Sequence, residues 1–146
     1  MPRVKLQEQK EYDFVFPVTV QAREMNASGH LDHKAVIGMI QDARTTILHD
    51  LGMKEDCIDG GHTGVIMADL VVNYKAEIFA FERLSVETRF GEFEAKSYRM
   101  FFRVRGDEGG RLVALIEAGF VVYDYLERTV APMPKSFRRA VSREAT

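Results

Sequence analysis

Cysteine is almost missing from this chain. Cys57 stands alone among 146 residues, so no internal disulfide can staple the fold, and the usage fits a reducing cytoplasm. No apolar run approaches the roughly 18 residues of a membrane span, and the opening MPRVKLQEQKEYD lacks the apolar region of a secretion signal. A surplus of one charge is also missing. The formal net charge is −2, which argues against a basic face for nucleic acid. No internal repeat, low-complexity tract or Pro/Gly/Ser linker divides the sequence.

What remains is 46% hydrophobic and 29% charged over 146 residues. That balance belongs to one soluble globular domain with a real core, spanning 1–146. Residues 1–10 are polar and are expected to be loose. From Glu11 to Arg23 the residues Phe14, Phe16, Val18 and Val20 fall on one face of a strand, and Pro17 assigns it to an edge or a bulge. Val36, Met39, Ile40, Ala43, Ile47, Leu48 and Leu51 then recur at helical steps, predicting one long helix over about 32–51. Asp32 is its expected N-cap and Gly52 its stop, while Gly38 points to close packing against a neighbour.

Beyond the loop DGGHTG at 59–64, alternation at Ile66–Tyr74, Val86–Phe90, Tyr98–Arg105 and Leu112–Tyr125 predicts strands, with a GDEGG turn at 106–110 and a short terminal helix. One helix and about five mostly antiparallel strands make an α+β domain. Stretches such as AGFVVYDY at 118–125 are apolar on both faces, which predicts that an open face or an edge is covered by another subunit.

The chemistry concentrates where the first strand runs into the helix. Asn26, Gly29, His30, Asp32 and His33 crowd the turn in NASGHLDH, and the start of a buried helix offers backbone N–H groups that polarise a carbonyl. His30 and His33 lack a third ligand at suitable spacing, so a metal site is not expected. Asp69, a carboxylate in the apolar run VIMADLVV, would acquire a raised pKa if buried and could act as a base. Arg99, Arg103 and Arg105 share one strand face and suit phosphate groups or solvent equally.

NASGHLDH at 26–33, IQDAR at 40–44 with LHDLG at 48–52, NYKAEIFAFERLSVET at 73–88 and LVALIEAGFVVYDYLERTVAPMP at 112–134 occur in the order seen in one family. Together they resemble the hotdog-fold acyl-CoA thioesterases of the 4-hydroxybenzoyl-CoA thioesterase-like family, over roughly residues 12–141. The resemblance implies an antiparallel sheet wrapped around one long central helix, assembled as a dimer or tetramer. It also implies cytoplasmic hydrolysis of an acyl-CoA or acyl-carrier-protein thioester at the helix N-terminus, near a dimer interface. Coenzyme A enters only as part of the substrate, and neither metal, nucleic acid nor membrane is implied.

The same resemblance places the His33 backbone N–H at the thioester oxygen, with Gly29 and His30 shaping the turn, and offers Arg103 and Arg105 to the coenzyme A phosphates. Where the family carries its catalytic Asp, this chain has Asn26. An amide cannot act as nucleophile or base at physiological pH and can only orient a water or donate to an oxyanion. Asp69 or Glu24, and after them Asp42, are the replacement carboxylates. The alternative is a non-catalytic hotdog module that binds an acyl thioester or a protein partner.

Overall fold

The computed structural model describes residues 3–29, 31–106 and 110–142. In chain order its elements are β1 (Phe14–Thr19), a single 3-10 turn (Ala22–Glu24), α1 (His33–Asp50), β2 (Thr63–Tyr74), β3 (Arg83–Gly91), β4 (Ser97–Gly106), β5 (Leu112–Asp124), β6 (Thr129–Val130) and α2 (Lys135–Ser142). The strands form one antiparallel sheet in the order β1-β3-β4-β5-β2, and the two-residue β6 joins β5. Pro17 pairs with Ser85 on β1, an edge strand, where a residue without an N–H is tolerated. The expected GDEGG turn falls largely on residues 107–109, outside the described residues.

The helix begins and ends where its caps dictate. Asp32 stays extended, and its Oδ1 accepts the Lys34 N–H at 2.8 Å, satisfying one of the donors a helix start leaves open. Leu51 closes the far end, and Gly52 leaves at φ +78, a left-handed exit that favours glycine. Val36, Met39, Ile40, Ala43, Ile47 and Leu48 are buried in one cluster with the inner positions of the sheet. On β4 these inner positions are Tyr98, Met100, Phe102 and Val104, none more than 2% exposed. Phe137 and Val141 of α2 complete the core, with the Phe137 ring 5.3 Å from that of Tyr98.

Two expectations need correcting. Beyond its own helix, Gly38 has open space among the described residues: a Cβ there would meet none of their atoms within 4 Å. It leaves a groove open instead of letting a neighbour approach. The N-terminal segment is also not loose within the described residues. Leu6 N–H donates to Asn73 Oδ1 at 2.8 Å, Asn73 Nδ2 donates to the Val4 carbonyl at 2.9 Å, and Glu8 pairs with Arg103 at 3.0 Å. Polar composition predicts solvent, but each of these groups has a complementary partner on the sheet.

One buried charge escapes the apolar pattern of the helix. Arg44 is 2% exposed; its guanidinium lies over the Phe120 ring at 4.8 Å, and its Nη1 meets Glu55 at 2.6 Å. The Gln41 carboxamide oxygen accepts from its Nη2. A buried guanidinium requires such pairing, because desolvating an unpaired charge costs on the order of several kcal/mol.

Candidate functional site

The turn before α1 is built by its own side chains. Met25 and Leu31 pair as an antiparallel bridge that closes the loop. Inside it, Asn26 Oδ1 accepts the Ser28 N–H at 3.0 Å and the Ser28 hydroxyl at 2.6 Å, while the Asn26 carbonyl accepts the Gly29 N–H at 3.1 Å. Gly29 sits at φ +82. This is the two-residue reach by which Asn shapes turns, followed by the left-handed position that favours glycine. Asn26 therefore uses its oxygen on the loop. His30 lies outside the described residues.

At the helix start, the Ala35 and Val36 N–H groups donate to the Asp32 carbonyl, and Lys34 N–H donates to the Asp32 carboxylate. Among the described residues none accepts the His33 N–H. The His33 imidazole is 72% exposed and lies 3.7 Å from Asp32 Oδ1. An N–H at this position carries the positive end of the helix dipole.

Two hollows flank that first turn. An apolar cleft of about 320 Å³ is lined by Leu31, Val36, Tyr74, Ala76, Glu77 and Ile78. Burial raises the Tyr74 phenol pKa, and the Asp32 carboxylate pushes it further up, which ties the end of β2 electrostatically to the helix cap. A polar groove of about 390 Å³ includes Glu24, Asp32, Lys34, Gly38 and Asp42. Glu24 Oε1 accepts the Gln21 N–H at 2.7 Å, and its backbone carbonyl accepts the Asp32 N–H at 2.9 Å. Glu24 and Asp42 thus share one groove beside the helix start. Tyr74, read in the sequence only as a strand residue within NYKAEIFAFERLSVET, lines the cleft as well.

A model of the thioesterase-like superfamily matches residues 20–141. The chain belongs to that superfamily. Solved structures agree on the hotdog fold. A 1,4-dihydroxy-2-naphthoyl-CoA thioesterase from Synechocystis superposes with a TM-score of 0.79 at 18% identity, covering 88% of this chain and 94% of that one. A gentisyl-coenzyme A thioesterase gives 0.75 at 20% identity, with coverage of 88% and 99%. A Staphylococcus aureus protein in complex with CoA gives 0.81 at 13% identity, with coverage of 94% and 87%. A search of curated protein sequences finds no match. Among the described residues no helix is long and apolar enough to cross a membrane.

Within this thioesterase-like fold the remaining candidates lie on the sheet face opposite α1. Asp69 is held by two hydrogen bonds from Arg99, at 2.8 and 3.1 Å, and accepts the Gly119 N–H at 2.9 Å. The Arg99 hydrogen bond outweighs partial burial, so the Asp69 pKa is lowered. The rise expected from an apolar strand is reversed, because this side chain is 54% exposed and faces a guanidinium. Gly119 makes the bridge possible: a Cβ there would stand 2.6 Å from Arg99 Nη1 and 2.9 Å from Asp69 Oδ1.

Arg103 and Arg105 both close on Glu87. The Glu87 carboxylate accepts from Arg103 Nε at 2.5 Å and from Arg105 Nη2 at 2.7 Å. Arg103 also holds Glu8 and lies over the Tyr12 ring at 4.5 Å. Burial tends to raise the Glu87 pKa, but the two arginines overcome it and leave the carboxyl below its ordinary value. Arg103 is thus met by two carboxylates, whereas Arg105 donates to Glu87 through Nη2 and keeps 37% of its side chain exposed. No group of three or more His, Cys, Asp or Glu residues gathers for a metal among the described residues.

Proposed function

We propose that this chain hydrolyses acyl-CoA thioesters at the first turn of α1. The observation that carries the reading is the His33 N–H, without an acceptor among the described residues, on a turn whose neighbours Leu31 and Val36 line an apolar cleft and whose neighbours Asp32 and Lys34 line a groove with Glu24 and Asp42. The thioester oxygen accepts that N–H, which stabilises the developing oxyanion by roughly 2.7–4 kcal/mol, as single donors of this kind do. Asn26 orients a water, and Glu24, with Asp42 as the second choice, takes its proton as the oxygen attacks the carbonyl carbon. The C–S bond then breaks, the acyl group leaves as a carboxylic acid, and the thiolate regains the proton. The reaction needs no metal or redox cofactor.

The acyl group occupies the cleft at Leu31, Val36 and Ile78, and acyl-carrier-protein thioesters would present the same reacting atoms. The CoA-bound Staphylococcus aureus structure of the same fold supports coenzyme A as the carrier. A second copy pairs along β2, a 12-residue edge strand that exposes Ile66 and Tyr74, giving a homo-oligomer with the cleft near the join. This location for the work is the cytoplasm.

The reading is tested by thiol release from short, long and aromatic acyl-CoAs, with Asn26→Ala and Asn26→Asp alongside. Turnover that falls in Asn26→Ala while the melting temperature holds supports it. The second reading, a non-catalytic binding module, is favoured by Asn26 standing where a carboxylate is expected. Tight binding of an acyl-CoA without turnover, together with activity gained in Asn26→Asp, would establish that module instead.

A further inference from the structure

The turn between β2 and β3 presents two phenylalanine rings to solvent. Phe79 is 52% exposed and Phe81 72%, although Ala76, Glu77 and Ile78 just before them line the apolar cleft. Hydrogen bonds brace this turn on both sides. The Phe79 N–H donates to Glu82 Oε1 at 3.2 Å, and the other oxygen of that carboxylate meets Arg111 Nη1 at 2.8 Å. Arg111 Nη2 reaches on to the Glu77 carbonyl at 2.6 Å. The Phe81 N–H donates to the Val20 carbonyl at 2.8 Å, and the Val20 N–H returns to the Glu82 carbonyl at 2.9 Å. The rings thus stand out from a backbone that is tied in place.

Phe81 also has a φ of +68, a left-handed conformation that glycine adopts freely and that crowds a bulky side chain. Burial does not compensate, because most of the ring is in water. A strained backbone that holds an exposed aromatic ring points to a ligand for that ring. Two cations flank the turn in the chain, Lys75 before it and Arg83 after it, and both are exposed. Of the two carboxylates between them, Glu77 is exposed and Glu82 is engaged by Arg111. Flat apolar rings with cations on either side suit a nucleotide: its base stacks on an aromatic face, and its phosphates take Lys and Arg. The cleft says which nucleotide. An acyl-CoA whose acyl group lies there carries its adenine at the far end of the pantetheine arm, and that end leaves the cleft across its rim.

We infer that Phe79 and Phe81 form a stacking platform for the adenine of coenzyme A, with Lys75 and Arg83 serving its phosphates. The inference rests on the coenzyme A carrier of the proposed function and extends it to the end of the molecule that hydrolysis never touches. It assigns the braced turn a part in affinity and in the choice of carrier, and none in the chemical step. An acyl group on a bare pantetheine arm reaches the same cleft without meeting the platform.

The experiment titrates ADP, which carries the base and diphosphate of coenzyme A without the arm, into the full chain, Phe81→Gly and Phe79→Ala by calorimetry. No thioester is present, so the result stands whether or not the chain hydrolyses one. Phe81→Gly is expected to melt no lower than the parent, since glycine relieves the positive φ, yet to bind ADP about tenfold more weakly, as for the loss of one base–ring stack. Phe79→Ala is expected to weaken binding by a similar factor. In turnover, Phe81→Gly should raise the KM for an acyl-CoA about tenfold and leave the KM for the same acyl group on pantetheine where it was. A parent chain that binds no ADP, or variants that bind it as tightly as the parent, overturns the inference; thiol release that persists in that case leaves the hydrolysis reading standing. Binding of the parent to phosphatidylglycerol vesicles that Phe81→Gly abolishes, with ADP affinity the same in both, assigns the rings to a lipid surface and overturns it too.

Discussion

The two faces of this sheet use charge in opposite ways. On the outer face the guanidinium groups of Arg99, Arg103 and Arg105 meet carboxylates of neighbouring strands, and Asp69, Glu87 and Glu117 are absorbed by them. At the helix end of the other face, Asp32 satisfies three of the first-turn amides, but none of the described residues accepts the His33 N–H, and Glu24 and Asp42 border an open groove. Charge alone therefore does not mark a site. The residues most conspicuous in the sequence as a basic stripe face carboxylates of their own sheet, whereas the His33 peptide N–H meets no acceptor among the described residues.

The sharpest way to break this comparison is to remove that peptide donor without disturbing the helix. Proline is tolerated at the first helical position, and Asp32 already has the extended backbone (φ −66, ψ 136) that a residue preceding proline prefers. His33→Pro is expected to lower kcat by about 10²–10³ at nearly unchanged melting temperature, while His33→Ala keeps activity. Equal losses in both variants would assign the effect to the imidazole and sink the backbone reading. Next in size, Glu24→Gln is expected to lower kcat about 10²-fold with little change in KM, as for loss of a general base. If Asp42→Asn gives the larger loss, the base is on the helix.

On the outer face the expected losses are in stability. Glu87 is 11% exposed at its side chain and serves two partly exposed arginines, so Glu87→Gln should cost about 2 kcal/mol in urea unfolding with kcat unchanged, below the figure for a fully buried pair. A fall in kcat with stability intact would return Arg103 and Arg105 to the substrate.

Much of this contrast was legible in the sequence, and the remainder depended on pairing. The helix, its Asp32 cap and its Gly52 exit follow from local rules, since every partner lies within a turn. The edge position of Pro17 follows from its missing N–H. The fate of Asp69 could not be read locally, because Arg99 is 30 residues away and reaches it only across Gly119 once the register is set. Polar residues 3–10 were misread for the same reason: their partners Asn73 and Arg103 are remote in sequence. Gly38 misled differently, because a glycine that permits contact and one that merely leaves space look alike.

The smallest effect belongs to Asp69, and its pH dependence separates a structural carboxylate from a base. Its folded pKa is depressed, by the Arg99 hydrogen bond above all. Such a group contributes stability above the ordinary Asp pKa of about 3.9, and that contribution disappears as pH falls through the lower folded value. Because the side chain is 54% exposed, solvent screening limits the contribution to about 0.5–1 kcal/mol. Asp69→Asn should therefore melt slightly below the parent chain at pH 7, and the gap should shrink on acidification below about pH 4. Its kcat should match that of the parent throughout. A base role requires the reverse, with kcat falling at pH 7 and stability changing little. The outcome decides whether the outer face contributes anything to the reaction or serves only to hold the sheet beneath it.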